Sequence, residues 1–243
     1  MNKLRFIVNS NMAQKGFYFL LFFFFGLLLF TSCKKEDEEV GQPSNLHADY
    51  YQTTKGAFVI YQATEMTHDD AVGQHDTIEY QLKTVVSDIF IDNEGREANE
   101  FLRYKSYDQG VTFYVSDVYT TIVDGPRVEL VEENQRIIKL FLPPSLNAEW
   151  NINAFNSRPE KKAYYETIHQ SYQVGNLSFD STLNVVEQKL YSLVDYRQQY
   201  EVYAKGIGLV KKYFKDLRIN DFDTLDAQSG NEIYYTVLSH GVE

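Results

Sequence analysis

Two hydrophobic patterns divide the chain. Phe17–Phe30 is one unbroken apolar run, FYFLLFFFFGLLLF, fourteen residues long. From about Asp49 the apolar positions are instead scattered in short runs rich in Tyr, Phe, Val, Ile and Thr, separated by turn-forming clusters. That second pattern predicts β-strands. The first strand is expected over Phe58–Met66 and the next over Thr77–Ile91. In the latter, Ile78, Tyr80 and Leu82 alternate with Glu79, Gln81 and Lys83, so the two sets lie on opposite faces. His68–His75 reads as a polar connection, and Asp92–Gly95 and Tyr107–Gly110 as turns around Glu100–Tyr107. Val111–Ile122 is a strand that Asp124-Gly125-Pro126 ends. Arg127–Val131 and Arg136–Leu142 flank a turn at 132–135. Pro143-Pro144 then breaks the pattern, and Ser145–Pro159 reads as an internal loop holding the only tryptophan, Trp150. Strands resume at Ala163–Val174, Leu177–Phe179, Leu183–Val194, Arg197–Ala204, Leu209–Ile219 and Glu232–Leu238. No window carries a 3.6-residue apolar period. The expectation is an all-β fold: one strongly curved antiparallel sheet, either a barrel or half-barrel or a sandwich, over a single domain at 49–243.

The first run needs a different explanation. Fourteen apolar residues fall short of the roughly 20 that cross a bilayer, but suit the hydrophobic segment of a signal peptide. Lys3, Arg5 and Lys15 precede it, and Thr31 and Ser32 lead to Cys33, the only cysteine. Met12 offers a second start with more usual proportions. No internal disulfide can form, so stability must come from a packed core. Residues 1–32 therefore read as an export signal, with Cys33 as the residue that carries lipid. Leu29-Phe30-Thr31-Ser32-Cys33 resembles a bacterial lipobox, departing from it at Phe30, where leucine is usual. The resemblance implies a diacylglycerol on the Cys33 thiol and a further acyl chain on the freed amine. Two or more chains anchor stably where one is marginal.

Charge changes the picture next. The chain carries a net charge of −11, yet none of its 34 acidic residues lies before Cys33. The body is thus strongly acidic, which excludes nucleic acid as a partner, since phosphate binding needs a basic surface. Lys34, Lys35, Glu36, Asp37, Glu38 and Glu39 follow the cysteine directly, then Val-Gly-Gln-Pro-Ser-Asn. Such a composition cannot bury apolar surface, so 33–48 reads as a flexible acidic tether. The stretch Lys34–Glu39 resembles the signal that sends Bacteroidota lipoproteins to the cell surface. The implied location is the outer membrane, lipid-anchored and facing the exterior.

Four stretches of the body also resemble a family of uncharacterised Bacteroidota lipoproteins. They are Tyr80–Asp88, Val115–Tyr119, Trp150–Asn156 and Tyr200–Val210. The similarity spans most of residues 50–215. It departs at Gly56–Val59, where the family has a tryptophan. The resemblance implies a β-rich envelope protein and assigns no catalytic residue.

The chemistry on offer is thin. His68-Asp69-Asp70 and His75-Asp76 place two imidazoles and three carboxylates within nine residues, a composition suited to zinc or calcium. The spacing matches no named site, so neither a metal nor a cofactor is expected. No Gly-x-Ser-x-Gly elbow exists, and Gly206-Ile-Gly208 lacks the third glycine and following helix of a nucleotide fingerprint. Tyrosine is abundant, 19 in all, and Tyr50-Tyr51, Tyr164-Tyr165 and Tyr234-Tyr235 each send one ring to either face. Trp150, Tyr164 and Tyr165 are therefore candidate ligand contacts; the competing explanation is that sheets favour tyrosine anyway. Thr77, Ser181 and Thr224 sit in Asp-Ser/Thr-apolar patterns that resemble the Bacteroidota O-glycosylation sequon. The expected function is non-enzymatic binding of a glycan, peptide or envelope protein partner at the membrane. A lipid- or lipoprotein-carrier role in envelope assembly and an unrecognised hydrolase stand as alternatives.

Overall fold

The structure, a computed structural model, describes residues 46–243. The leader 1–32, Cys33 and the run Lys34–Glu39 lie outside the described residues. A 3₁₀ turn at Ala48–Tyr50 leads into twelve strands: β1 Ala57–Asp69, β2 Gln74–Ile91, β3 Glu97–Ser106, β4 Tyr114–Asp124, β5 Arg127–Glu132, β6 Gln135–Phe141, β7 Glu149–Asn151, β8 Lys162–Val174, β9 Leu177–Tyr191, β10 Asp195–Ala204, β11 Gly208–Asn220 and β12 Asp223–Val242. The packed body begins by Leu46, which with Ala48 lies against the core.

All twelve strands form one antiparallel sheet in the order β6-β5-β4-β3-β2-β1-β12-β11-β10-β9-β8-β7. Each strand pairs with its sequence neighbours, a meander, except that β6 and β7 do not pair and form the two edges of the sheet, while β1 pairs with β12 along Ala57↔Val242 to Asp69↔Ser229. The predicted all-β, strongly curved antiparallel fold is what forms, and it is nearly closed into a barrel. Closure brings β6 against the segment around β7. Ile138 N donates to Ile152 O at 2.9 Å, and the Trp150 indole N–H donates to Ile138 O at 3.1 Å. The Tyr165 hydroxyl accepts from Phe141 N at 3.1 Å and donates to Phe141 O at 2.7 Å. Asn156 Nδ2 donates to Arg136 O at 2.8 Å. An edge strand that exposed these groups would be a template for association; here the Ile152 carbonyl and the Trp150, Tyr165 and Asn156 side chains occupy them.

Several strands run further than their apolar pattern. The polar connection expected at His68–His75 is mostly ladder: His68 pairs with His75 and Asp69 with Gln74, leaving a short 3₁₀ turn at Asp70–Val72. Leu177–Phe179 and Leu183–Val194 fuse into β9, because Ser181 and Thr182 bond to Tyr50 and to the Gln170 carbonyl instead of breaking the strand. The expected loop 145–159 contains β7, with Trp150 buried. β12 starts at Asp223, nine residues before the expected Glu232, through a polar stretch. Backbone pairing needs no apolar side chain, so polar ladder that extends beyond the core leaves no hydrophobic signature.

Candidate functional site

Five strands each place two residues, two positions apart, on the inner wall of the curved sheet: Val59 and Tyr61 from β1, Leu82 and Thr84 from β2, Phe101 and Arg103 from β3, Leu130 and Glu132 from β5, and Glu201 and Tyr203 from β10. Ile137 and Lys139 do the same from β6. The period of two is why these pairs share a face. Tyr51, Tyr119, Leu209, Lys212 and Tyr235 are also part of the wall of a cavity of about 150 Å³. Its floor is aromatic. Phe101 stacks on Tyr119 with centroids 4.9 Å apart, and Tyr51 lies edge-on to Phe101 and 6.2 Å from it. Tyr51 also faces Tyr203 at 6.1 Å. Burial pushes the Tyr51, Tyr61 and Tyr203 hydroxyls above their ordinary range, so all three stay neutral donors.

One side of the wall is charged. Lys139 Nζ lies 2.6 Å from Glu201 Oε2 and 3.1 Å from Glu187 Oε1. Lys161 Nζ lies 3.0 Å from Glu187 Oε2 and donates to Gln199 Oε1 at 2.5 Å. The Tyr203 hydroxyl donates to Glu201 Oε2. Burial disfavours charge on Lys139 and on Glu187, but each charge stabilises the other and outweighs burial. Glu187 and Glu201 hold Lys139 above the lysine range, while Lys139 and Lys161 hold Glu187 below the carboxylate range. This network also ties β6 to β9 and β10, across the closing seam.

Arg103 sits apart from it. Its Nη1 meets Glu132 Oε1 at 2.6 Å and Asp117 Oδ2 at 3.7 Å, and its guanidinium lies over the Tyr119 ring at 4.8 Å. Its Nε is buried without a hydrogen-bond partner. Burial opposes the Arg103 charge, but Tyr119 and Glu132 outweigh it, so the group stays protonated.

The residues singled out in the sequence are dispersed. Trp150 and Tyr165 are in the closing seam, with ring centroids 4.9 Å apart, and neither lines the cavity. Tyr164 points to the opposite face and is exposed. Thr77 is exposed on β2 and Thr224 half-buried on β12. The Ser181 Oγ is spent on the buried Tyr50 hydroxyl at 2.5 Å, and Tyr50 bonds in turn to His169 Nδ1 at 2.6 Å. Ser181 and His169 thus meet a tyrosine rather than each other, which is not a nucleophile–base pair. His68 Nδ1 lies 3.0 Å from His75 Nδ1, with His68 Nε2 3.1 Å from Glu232 Oε1. Among the described residues no three His, Cys, Asp or Glu side chains gather into a metal shell. The cavity residues carried one readable signal, a lone charge inside an apolar strand: Lys139 within Ile137–Phe141 and Glu201 within Tyr200–Tyr203.

No protein-family model and no curated protein sequence matches the chain. Two solved structures align with it. One is a provisionally assigned lipoprotein from Parabacteroides distasonis, 11% identical, with a TM-score of 0.37, covering 79% of this chain and 98% of its own. The other is a provisionally assigned exported protein with a YmcC-like fold from Bacteroides fragilis, 9% identical, with a TM-score of 0.38 and the same coverage of both chains. Likeness this slight transfers neither activity nor location.

Proposed function

We propose that this chain is a lipid-anchored protein of the cell envelope whose curved sheet binds a small, ring-sized ligand in its interior. The location rests on residues 17–39: an apolar run too short to span, a lone Cys33 after small residues, and the mixed charge run Lys34–Glu39. The outer membrane, with the body facing outward, is the placement this run supports. The binding role rests on one observation, the aromatic-walled cavity inside the sheet.

Size decides between binding and carrying. A cavity of about 150 Å³ matches an engineered apolar void that takes benzene. It falls below the roughly 300–1,000 Å³ of sites for drug-sized ligands. A diacyl lipid does not fit such a volume, so the interior favours a single ring over a lipid cargo.

Two tests follow. Cys33→Ser is expected to abolish incorporation of labelled palmitate and to move the protein out of the detergent phase. Retained label would refute the anchor, and protease shaving of intact cells that leaves the body untouched would refute outward display. For binding, the mature chain carrying Cys33→Ala is heated with a panel of single-ring compounds. At least one should raise the melting temperature, as a ligand selective for the folded state must. Leu130→Trp, which fills the cavity, should erase that shift with the fold retained by circular dichroism. Equal shifts in both proteins would place binding elsewhere.

A further inference from the structure

We infer that the ligand of this cavity carries no charge: it is a neutral single-ring molecule with one hydrogen-bonding group, a phenol or its like, received by the Tyr51 hydroxyl. The inference rests on the reading of the cavity as a ligand site and names its chemistry. The charged side chains in and behind the wall are matched. Arg103 opposes Glu132 and Asp117. Lys139 opposes Glu187 and Glu201, Lys161 opposes Glu187, and Lys212 lies 3.9 Å from Glu201 and also acts on Glu187. Four cations thus face four carboxylates, although the chain as a whole is strongly acidic at −11. A charged ligand would shed its water on entry and find no counter-charge to spare. Burying an unpaired charge costs far more than burying a neutral polar group.

The tyrosine hydroxyls of the wall are not equally satisfied. That of Tyr61 donates to Leu209 O at 2.8 Å, and that of Tyr203 to Glu201 Oε2. Tyr51 lines the same cavity, and its hydroxyl lies within electrostatic reach of Tyr119, Glu201, Tyr61 and Arg103, all of them wall residues. Yet it makes no hydrogen bond among the described residues. Burial keeps it protonated, so it is free to donate and to accept. A desolvated hydroxyl without a partner is costly, and an arriving partner recovers that cost. The ring that carries it is held edge-on to Phe101 and beside Tyr203, which fixes where the hydroxyl sits. The rest of the ligand meets those same rings, suited to the face or edge of one more.

The test uses the mature chain carrying Cys33→Ala, titrated calorimetrically at pH 7 with phenol, toluene, benzoate and benzylamine. Phenol should bind about tenfold or more tightly than benzoate, the anion, and than benzylamine, the cation, because either charge enters unpaired. Tyr51→Phe keeps the ring and removes only the hydroxyl. It should weaken phenol by about three- to tenfold, the scale of one neutral hydrogen bond, and leave toluene unchanged; near-ultraviolet circular dichroism confirms that the variant is folded. Benzoate or benzylamine binding as tightly as phenol would overturn the neutral ligand and leave the ligand site standing. Phenol binding equally to Tyr51→Phe and to the unaltered cavity would overturn Tyr51 as the receiving group. If none of the four ring compounds binds, the ligand-site reading fails with it.

Discussion

Lys139→Met is expected to lower stability by about 3–5 kcal/mol at neutral pH, the usual cost of removing one partner from a buried ion pair. Lys139, Glu187 and Glu201 are each at most 16% exposed in their side chains, so solvent screens the loss little. Removing the ammonium leaves Glu201 with the Tyr203 hydroxyl and a lysine 3.9 Å away. Glu187 keeps Lys161 alone.

The pH dependence has a definite sign. Burial raises the Glu187 value, but Lys139 and Lys161 depress it further than burial raises it. A depressed carboxylate stabilises fully above its unfolded value of roughly 4.3, and that contribution is lost as pH falls through the folded value. Burial lowers Lys139, yet Glu187 and Glu201 raise it overall. Its contribution is complete below an unfolded value of roughly 10.4 and is lost as pH rises through the folded one. Both terms are therefore intact from about pH 5 to about pH 10. In the variant Glu187 loses Lys139, which depresses it in the wild type, so protonating it relieves the damage and the gap to wild type should narrow as the pH falls below about 4. Urea unfolding at pH 7 and pH 3.5 measures it. A gap under about 1 kcal/mol, or one independent of pH, would mean that the network contributes little.

Trp150→Ala should cost a similar amount, about 3–5 kcal/mol, but for a different reason. The indole is 6% exposed, packs on Tyr165, and donates to the Ile138 carbonyl. Truncation leaves a large void and an unpaired edge carbonyl. The effect should also be local. β6 is the last strand of its side of the sheet, so the amides of Ile138 and Phe141, bonded to Ile152 O and the Tyr165 hydroxyl, should exchange with solvent faster than those of β1. Tyr165→Phe should cost less, about 1–2 kcal/mol, since it removes a hydroxyl and leaves the ring in place. Unchanged exchange at Ile138 in Trp150→Ala would show that the seam is held by something other than this tryptophan.

Much of the sheet was legible because its buried face has period two. Tyr80 and Leu82 are buried as their alternation implies, while Ile78 shares their face but lies beyond the core and is exposed. The polar ends were not legible. The β1–β2 hairpin past Met66 and the first residues of β12 pair through backbone alone. The Asp180-Ser181-Thr182 stretch looked like a break for lack of its partner, because Tyr50 lies 131 residues away. The site shows the same limit. Lys139 and Glu201 each stand out as a charge within an apolar strand, but what makes them a pair is a curvature that carries β6 over β9 and β10. No local pattern encodes that. Trp150 drew notice as the only tryptophan, in an expected loop, and its surroundings give it the work of closing the sheet.

The central claim is that the sheet encloses a ligand site, and methyl proton–carbon NMR of the mature chain carrying Cys33→Ala tests it most directly. Titration with the single-ring compound that raises the melting temperature most should shift the methyls of Val59, Leu82, Leu130 and Leu209, which line the cavity, saturably and together. The methyls of exposed Leu225 and Leu238 should stay in place. Shifts confined to those outer methyls, or none at any concentration, would contradict the claim.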